Sequence, residues 1–458
     1  MTQQDAVQVG PLADDAARRR EHRAWYAYDW ANSAFSTSVI TVFSGPYLNG
    51  VAQNVADQAG QVPLLWFDVA ANSYFPFAVS LSVIGQTLAL PIVGAAADRS
   101  QDKRRLLQAL VAIGALATVA LFLVTDQRLQ LGAVCLLVAN VAFGSAAVVY
   151  DSFLPEIALP NERDGVSSRG WATGYAGGGL LLLVHLVLFL FAEDLGLSEN
   201  VAARTAMASA GIWWFGFSQI TIRGLTRRPP LVDTAGEVGG VVAGAGASLR
   251  ELWGTIKGLR HTPRTLVFLG AFLLYNDGVA TVITAAGIFA TDELDISLTT
   301  LTSAILLVQF VAVFGALGLG RIAERIGAKK TILGSLVLWT IVINAGRSVA
   351  AGDVTSFFLL AGSIGFVLGG TQALSRSLFS QLVPTGEEAQ FFALYQLSDR
   401  GTSWLGTFAL GVAVSVTGTY RDGILVLLFF FISGGVLLAF TDVRRAIREA
   451  GNEVPEVV

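Results

Sequence analysis

Charge is scarce in this chain: Asp, Glu, Lys and Arg make up 14% of its 458 residues, against about 25% in a soluble globular protein. With 53% hydrophobic residues and a mean hydropathy of +0.60, the composition argues against a water-soluble protein. One cysteine, Cys135, allows no internal disulfide, and three scattered histidines offer no metal-ligand spacing. There is no basic surplus either. The 30 basic and 34 acidic residues leave a net charge of -4, which sets nucleic acid aside as a partner. Also missing are a phosphate-cradling Gly-Lys-Ser/Thr loop, His-Glu-x-x-His and Gly-x-Ser-x-Gly, so ATP-driven pumping and intramembrane hydrolysis lose their chemistry. The chain is expected to be neither an enzyme nor a cofactor protein.

What is abundant is apolar sequence in runs of bilayer length. A spanning helix uses about 20 apolar residues, and windows of that size fall near 24–48, 71–97, 106–125, 130–153, 170–192 and 203–222. Six more fall near 265–290, 298–320, 331–350, 355–379, 391–417 and 423–441. The expected architecture is an all-α polytopic membrane protein of twelve transmembrane helices. It comprises a tail at 1–23, a six-helix half at 24–222, a linker at 223–264, a second six-helix half at 265–441 and a tail at 442–458. The polar first 23 residues precede a long run with no small-residue cleavage site, so the first span is read as retained. If residue 1 is inside, only Arg128, Arg204, Arg347 and Arg421 of the 30 basic residues fall outside. That bias places both termini in the cytoplasm.

The halves repeat one another. Gly94-Ala-Ala-Ala-Asp98-Arg99 recurs as Gly320-Arg-Ile-Ala-Glu324-Arg325, an offset of 226, and 144–162 aligns with 369–387 at 225. Parallel repeats that rock about a midplane site are a secondary-transporter architecture. In the linker, 235–247 reads as a low-complexity tether. Ser248 and Glu251 then form a capping box ahead of a helix with Leu249, Trp253, Ile256 and Leu259 on one face, suited to the inner leaflet.

A charge inside a span costs about 2.5–3.5 kcal/mol or more, so it faces a cavity or a partner. Asp29, Asn32, Ser33 and Ser36 form one polar stripe on the first helix. Asp29 lies about 8 Å from its inner end, where it either lines a cavity or snorkels. Asp277 is near the midplane of the seventh helix, with Thr281 and Thr284 on its face. Asn276 and Gly278 can open the backbone there. A midplane carboxyl is suited to carrying a coupling proton, unless it is permanently paired with an arginine. Gln372, Ser375 and Arg376 share a face of the tenth helix, and Arg376 matches Asp151 in the repeat. Its fork either holds a substrate carboxylate or closes an inner gate on Asp29 or Asp151. Asp399 and Arg400, adjacent in sequence, are expected to face different directions and to pair with other helices. Arg347 is read as snorkelling, His185 as a hydrogen-bonded core residue, and Gly170, Gly174 and Gly178 as a close-packing face. Asp98 with Arg99, Lys103, Arg104 and Arg105 forms a carboxylate and cation cluster able to bind the next half, and Asp98, Arg99 and Arg105, with Glu324 and Arg325 in the second copy, are the candidate gate residues.

Several stretches resemble a known family. The Gly94-to-Arg105 loop is similar to the signature between helices two and three of the major facilitator superfamily. Tyr28-Asp-Trp-Ala-Asn-Ser-Ala-Phe35 resembles the hallmark of its vacuole-effluxer branch, whose fungal members are autophagy-related amino-acid exporters. Phe153-Leu-Pro-Glu156, Tyr275-Asn-Asp-Gly278 and 369–379 are similar as well. The sequence departs from the loop signature at Gln101-Asp102, where a glycine is usual, and at Glu324, where an aspartate is usual. The resemblance implies a secondary transporter whose cavity is lined by helices one, four, seven and ten. Arginine-rich usage and compact loops suggest a bacterial plasma-membrane relative. The expectation is a proton-linked permease for a small polar solute, an amino acid being one class, with protons and the bilayer as its other partners and a monomer as its state. A sugar or drug permease of the same superfamily and a non-transporting membrane scaffold or receptor are the rivals. The expected pathway residues are Asp29, Asn32, Asn276, Asp277, Gln372 and Arg376; the expected gate residues are Asp98, Arg99, Arg105, Asp151, Glu324 and Arg325.

Overall fold

Inside a bilayer nothing hydrogen-bonds an exposed amide, so each apolar run closes its own backbone bonds as a helix. The computed structural model describes residues 15–228, 262–400 and 404–458. Helix α1 runs through Asp15–Ala34, a π-helical stretch Phe35–Phe43 and Ser44–Asn54. Then come α2 (Tyr74–Asp98), α3 (Lys103–Ala120), α4 (Leu129–Asp151), α5 (Arg163–Leu190) and α6 (Glu199–Gly224). The second half holds α7 (Pro263–Ile288), α8 (Leu298–Ile326), α9 (Ala328–Arg347) and α10 (Val354–Gln381). It ends with α11, described in two pieces as Glu388–Arg400 and Trp404–Thr417, and α12 (Val426–Phe440). Nine of the described helices, all but α1, α6 and α11, are long and apolar enough to cross a membrane. The twelve helices follow the order expected from the sequence. The tether at 235–247 and the amphipathic helix expected after Ser248 lie outside the described residues.

Three local features depart from the sequence reading. Helix α1 starts at Asp15, inside the expected tail, and the C-terminal tail holds a helix, Val443–Glu449, with Val443, Ala446 and Ile447 buried. The loop after α1 folds back as an antiparallel hairpin, β1 (Gln61–Leu64) with β2 (Phe67–Ala70), Leu64 opposite Phe67. Leu65 at its tip adopts a left-handed conformation, φ 57. Gln130 of α4 braces the tip, accepting from the Leu65 amide at 2.9 Å and donating to Pro63 O at 2.5 Å. The π stretch also has a local cause. The Thr41 hydroxyl donates to Ser36 O at 2.9 Å and the Ser44 hydroxyl to Val39 O, each five residues back, while Pro46 withholds an amide from the following turn.

Each half has its own core, one around Trp25, Tyr28, Phe35 and Trp214, the other around Phe272, Trp339 and Phe379. The halves meet where α5 packs on α8 and α10, and where α2 packs on the first piece of α11. Lipid tails are as apolar as leucine, so close approach of small residues drives this packing. Ala172, Ala316 and Ala373 sit together between the halves. The expected glycine face of α5 lies on α1: a Cβ at Gly174 would fall 2.7 Å from Ser33 Oγ and 3.2 Å from Asp29 O. That covers part of the Asp29 stripe, so not all of it faces a cavity. The start of α1 and the end of α12 share one face, termed the terminus face; the hairpin lies on the opposite face.

Candidate functional site

The repeat brings its own equivalents together. Asp151 and Arg376, matched at an offset of 225, meet between the halves with Arg376 Nη1 to Asp151 Oδ1 at 3.2 Å. Asp29 Oδ2 accepts from Nη2 at 3.0 Å, and Ser167 of α5 accepts from Nε at its hydroxyl, 3.0 Å, and from Nη2 at its carbonyl, 3.1 Å. Tyr150 donates its hydroxyl to Asp29 at 2.7 Å. Three rings of the first half enclose the guanidinium, Trp25 at 4.7 Å, Trp171 at 5.3 Å and Tyr150 at 5.7 Å. A planar fork satisfies this arrangement; a point-like ammonium does not. Asp29 is therefore paired rather than snorkelling.

A second cluster lies next to the first. Gln372 donates to Asn276 Oδ1 at 2.8 Å, and Asn276 Nδ2 donates to Asp399 Oδ1 at 2.6 Å. Arg400 lies 3.9 Å from Asp399, stacks 4.6 Å over the Phe143 ring of α4, and donates to Gln396 Oε1 at 3.1 Å. Gln396 in turn donates to Asp151 Oδ2 at 2.9 Å. One polar chain thus runs Asp29, Arg376, Asp151, Gln396, Arg400, Asp399, Asn276, Gln372. Asp399 and Arg400 reach different helices, Asp399 to Asn276 of α7 and Arg400 to Phe143 of α4, while still lying 3.9 Å from each other. Helix α7 stays unbroken at Asn276 and Gly278, since Gly278 is filled by Phe430 and Phe431 of α12 rather than opened.

Asn32 and Asp277 stand apart from this chain. Asn32 Oδ1 is buried with no hydrogen-bond partner among the described residues. Asp277 is 1% exposed and faces Gly406 of α11, and neither carboxylate oxygen has a side-chain partner among the described residues. The permanent arginine pair considered for it is not formed among the described residues.

At the terminus face Asp98 reaches the other half. Its two oxygens accept the amides of Ala389 at 2.8 Å and Gln390 at 2.9 Å, at the positive N-terminus of α11. Lys103 lies 2.6 Å from Glu156, 3.5 Å from Asp98 and 3.9 Å from Glu388. Burial pushes the Glu388 carboxyl up to about 7, against the pull of Lys103. Arg163 donates to Ser380 O at 2.7 Å across the same seam. Of the other expected gate residues, Arg99 is exposed, and Arg105 has an 86% exposed side chain 3.7 Å from Asp102 of its own loop. Glu324 abuts Gly165 of α5, and Arg325 is exposed at the end of α8. Arg105 and Arg325 therefore do not reach across the halves, because their helix ends turn them to solvent. Arg347 does not simply snorkel: it pairs with Asp422 at 2.7 Å. His185 bonds Ser38 at 3.0 Å and Ser209 at 2.8 Å, as a core histidine.

Sequence reasoning placed Lys103 in the gate cluster but missed its partners Glu156 and Glu388, and it missed Ser167 and Gln396. Gln396 carried a usable signal, since it is a polar residue in an apolar span, one turn before Arg400. The others are ordinary loop or helix-end residues, and only the fold assembles them.

Comparison with known proteins agrees with this architecture. The model of the family described as "Vacuole effluxer Atg22 like" matches residues 17–451. An uncharacterized MFS-type transporter of Bacillus subtilis, YxiO, is 27% identical over 95% of this chain and 98% of its own. Autophagy-related protein 22-1 of Penicillium rubens is 24% identical over 98% of this chain and 95% of its own. Among solved structures, the proton:xylose symporter XylE superposes with a TM-score of 0.64 at 15% identity, over 93% of this chain and 94% of that one. A bacterial homologue of the iron transporter ferroportin superposes with a TM-score of 0.62 at 13% identity, over 92% and 98%. These low identities speak to fold alone. The chain belongs to the Atg22-like vacuole-effluxer family, a branch of the major facilitator transporters and not a family of enzymes.

Proposed function

We propose that this protein is a proton-linked secondary transporter of a small polar solute, with amino acids as the first class to test, working by alternating access from a plasma membrane with both termini in the cytoplasm. The observation that carries the reading is the unbroken polar chain from Asp29 to Gln372, because it joins a closed contact between the halves to polar groups at the helix junction. Asp399 and Arg400 offer opposite charges side by side, with the amides of Asn276 and Gln372 beside them, which suits a solute carrying both an ammonium and a carboxylate. Asp29, Asp151 and Arg376 form the inner gate, with Asp98 and the α11 N-terminus as a second closure at the same face. In this state the inner side is closed.

Asp277 is the proton carrier in this reading. It is buried without a side-chain partner among the described residues, and a lone charge there is costly. Protonation removes that cost and so biases one orientation over the other. The test is uptake of labelled amino acids by the purified protein in liposomes under an imposed pH difference. Accumulation that follows the pH difference supports the reading, and Asp277→Asn should then leave only equilibrative exchange. A wild-type protein indifferent to the pH difference, or an Asp277→Asn variant that still accumulates solute, defeats the proton assignment. Cysteines at Gln58 and Ser198 should label from outside; labelling from inside reverses the orientation.

A further inference from the structure

Polar side chains in a bilayer interior are costly unless each hydrogen-bonding group is met, so a glutamine buried at a helix junction is informative. Gln396 is 6% exposed. It sits on the first piece of α11, one turn before Arg400, and its amide uses both ends. The Nε2 group donates to Asp151 Oδ2 at 2.9 Å, and Oε1 accepts from Arg400 Nε at 3.1 Å.

The two neighbours belong to different devices. Asp151 is on the first half and is held by Arg376 at 3.2 Å, in the contact that closes the halves. Arg400 is on the second half, beside Asp399, whose other partner is Asn276. Every other link in the polar chain lies within one of these clusters. Among the described residues the hydrogen-bonded chain passes between them through one amide, and an amide is suited to it, since one end donates to an acid while the other accepts from a base. A carboxylate here would repel Asp151, and an ammonium would repel Arg400.

We propose that Gln396 is the positioning residue that couples the solute pathway to the inner gate. The proposal rests on the functional reading above for the names of its two ends. Its physical content is an energetic coupling between Asp399 and the Asp151–Arg376 contact, carried by the two hydrogen bonds of one side chain. When Asp399 or Arg400 changes partner, the Arg400 guanidinium moves relative to Gln396 Oε1. The amide then turns or withdraws, and Asp151 loses one of its two holds. The gate contact is weakened by what happens at the pathway, and the reverse follows by reciprocity.

The coupling can be measured without knowing the solute. Ser168 on α5 is 2% exposed, faces Gly320 of α8 across the halves, and its hydroxyl has no partner among the described residues. A Ser168→Cys reporter in a Cys135→Ala background therefore reads opening of the terminus face through its maleimide labelling rate. Asp399→Asn should change that rate about tenfold, the equivalent of one charge-assisted hydrogen bond. In a Gln396→Leu background the same Asp399→Asn change should alter the rate less than about twofold, a non-additivity that the double-mutant cycle isolates.

Gln396→Glu supplies a control that a purely structural role would not satisfy. Ionised, it accepts from Arg400 but repels Asp151; protonated, it can do both tasks. Its coupling should be weak at high pH and return as the pH falls, while Gln396→Leu stays flat. Equal effects of Asp399→Asn with and without Gln396, or a Gln396→Glu variant without pH-dependent recovery, would overturn the proposal. Neither arm uses a transported solute, so failure of the amino-acid assay leaves this test standing, and additive labelling here would not touch that assay.

Discussion

The two copies of the repeated loop start from nearly the same sequence and end in different work. Asp98 enters the other half and accepts two amides at the start of α11. Its counterpart Glu324, 226 residues on, reaches the start of α5 but finds Gly165 and the acidic Asp164 there. The lysines diverge in the same sense. Lys103 is turned inward to Glu156, Asp98 and Glu388, whereas Lys329 donates at 2.8 Å to the carbonyls of Ala439 and Thr441, capping the end of α12. A repeat thus supplies two matching frames. The charged closure between the halves is built in the first copy, and the second copy's lysine is spent on holding a helix end.

The same asymmetry holds at the 225 offset, where the first half contributes Asp151 and the second Arg376, so this is where the comparison is tested hardest. Arg376→Lys should insert and fold yet transport at least about tenfold more slowly, because a lysine forfeits two or more charge-assisted bonds at about 1.5–3 kcal/mol each. Transport at the wild-type rate would remove the gate from the fork.

The next contrast sets the two loops directly against each other. Asp98→Asn should raise labelling of the Ser168→Cys reporter about fivefold, since an acceptor at a partly buried helix N-terminus is worth up to about 2 kcal/mol. Glu324→Gln should change it less than about twofold, an exposed carboxylate being well screened. Equal responses would make the loops functional equivalents and undo the comparison. A smaller effect separates the lysines: Lys103→Gln should speed reporter labelling, while Lys329→Gln should lower thermal stability by a few degrees and leave labelling alone, as expected for about 1 kcal/mol of lost capping.

How much of this the sequence announces depends on the range of the interaction. Helix number, order and the two halves follow from hydropathy, because bilayer thickness fixes the length of each run. Asp29, Asp151 and Arg376 stand out as charges in apolar spans, and the matched repeat positions of Asp151 and Arg376 hint that these two meet. The hairpin at 61–70 is not legible, since its tip is braced by Gln130, 65 residues from Leu65. Nor is the setting of Asp277 and Asn276, adjacent residues that the helix turns in different directions, one toward Gly406 and the other into the polar chain. Lys103 reads as part of a cation cluster beside Asp98, but its partner on the other half, Glu388, is supplied only by the fold.

The smallest effect concerns pH, and it arises from the closure that only the first copy builds. Glu388 stands at the first residue of α11, ahead of the expected span. It faces Lys103 as the nearest cation, with Glu156, Asp98 and Arg163 around it. Burial pushes its carboxyl up to about 7 from an ordinary 4.5, with Lys103 opposing and the two neighbouring acids adding to the rise. A raised carboxyl favours the closed contact while it keeps its proton. That contribution is therefore whole below the ordinary value and is lost as the pH climbs through about 7. Opening of the terminus face should increase about twofold between pH 6 and pH 8, a fraction of the roughly tenfold that a full return of Glu388 to an ordinary carboxyl would give. The measurement is the Ser168→Cys labelling rate divided by that of a cysteine at exposed Arg105, which cancels the pH dependence of the thiol chemistry. Glu388→Gln should flatten the profile. The same slope in both proteins would move the titration to another group, and a slope of opposite sign would mean that the Lys103 pair outweighs burial.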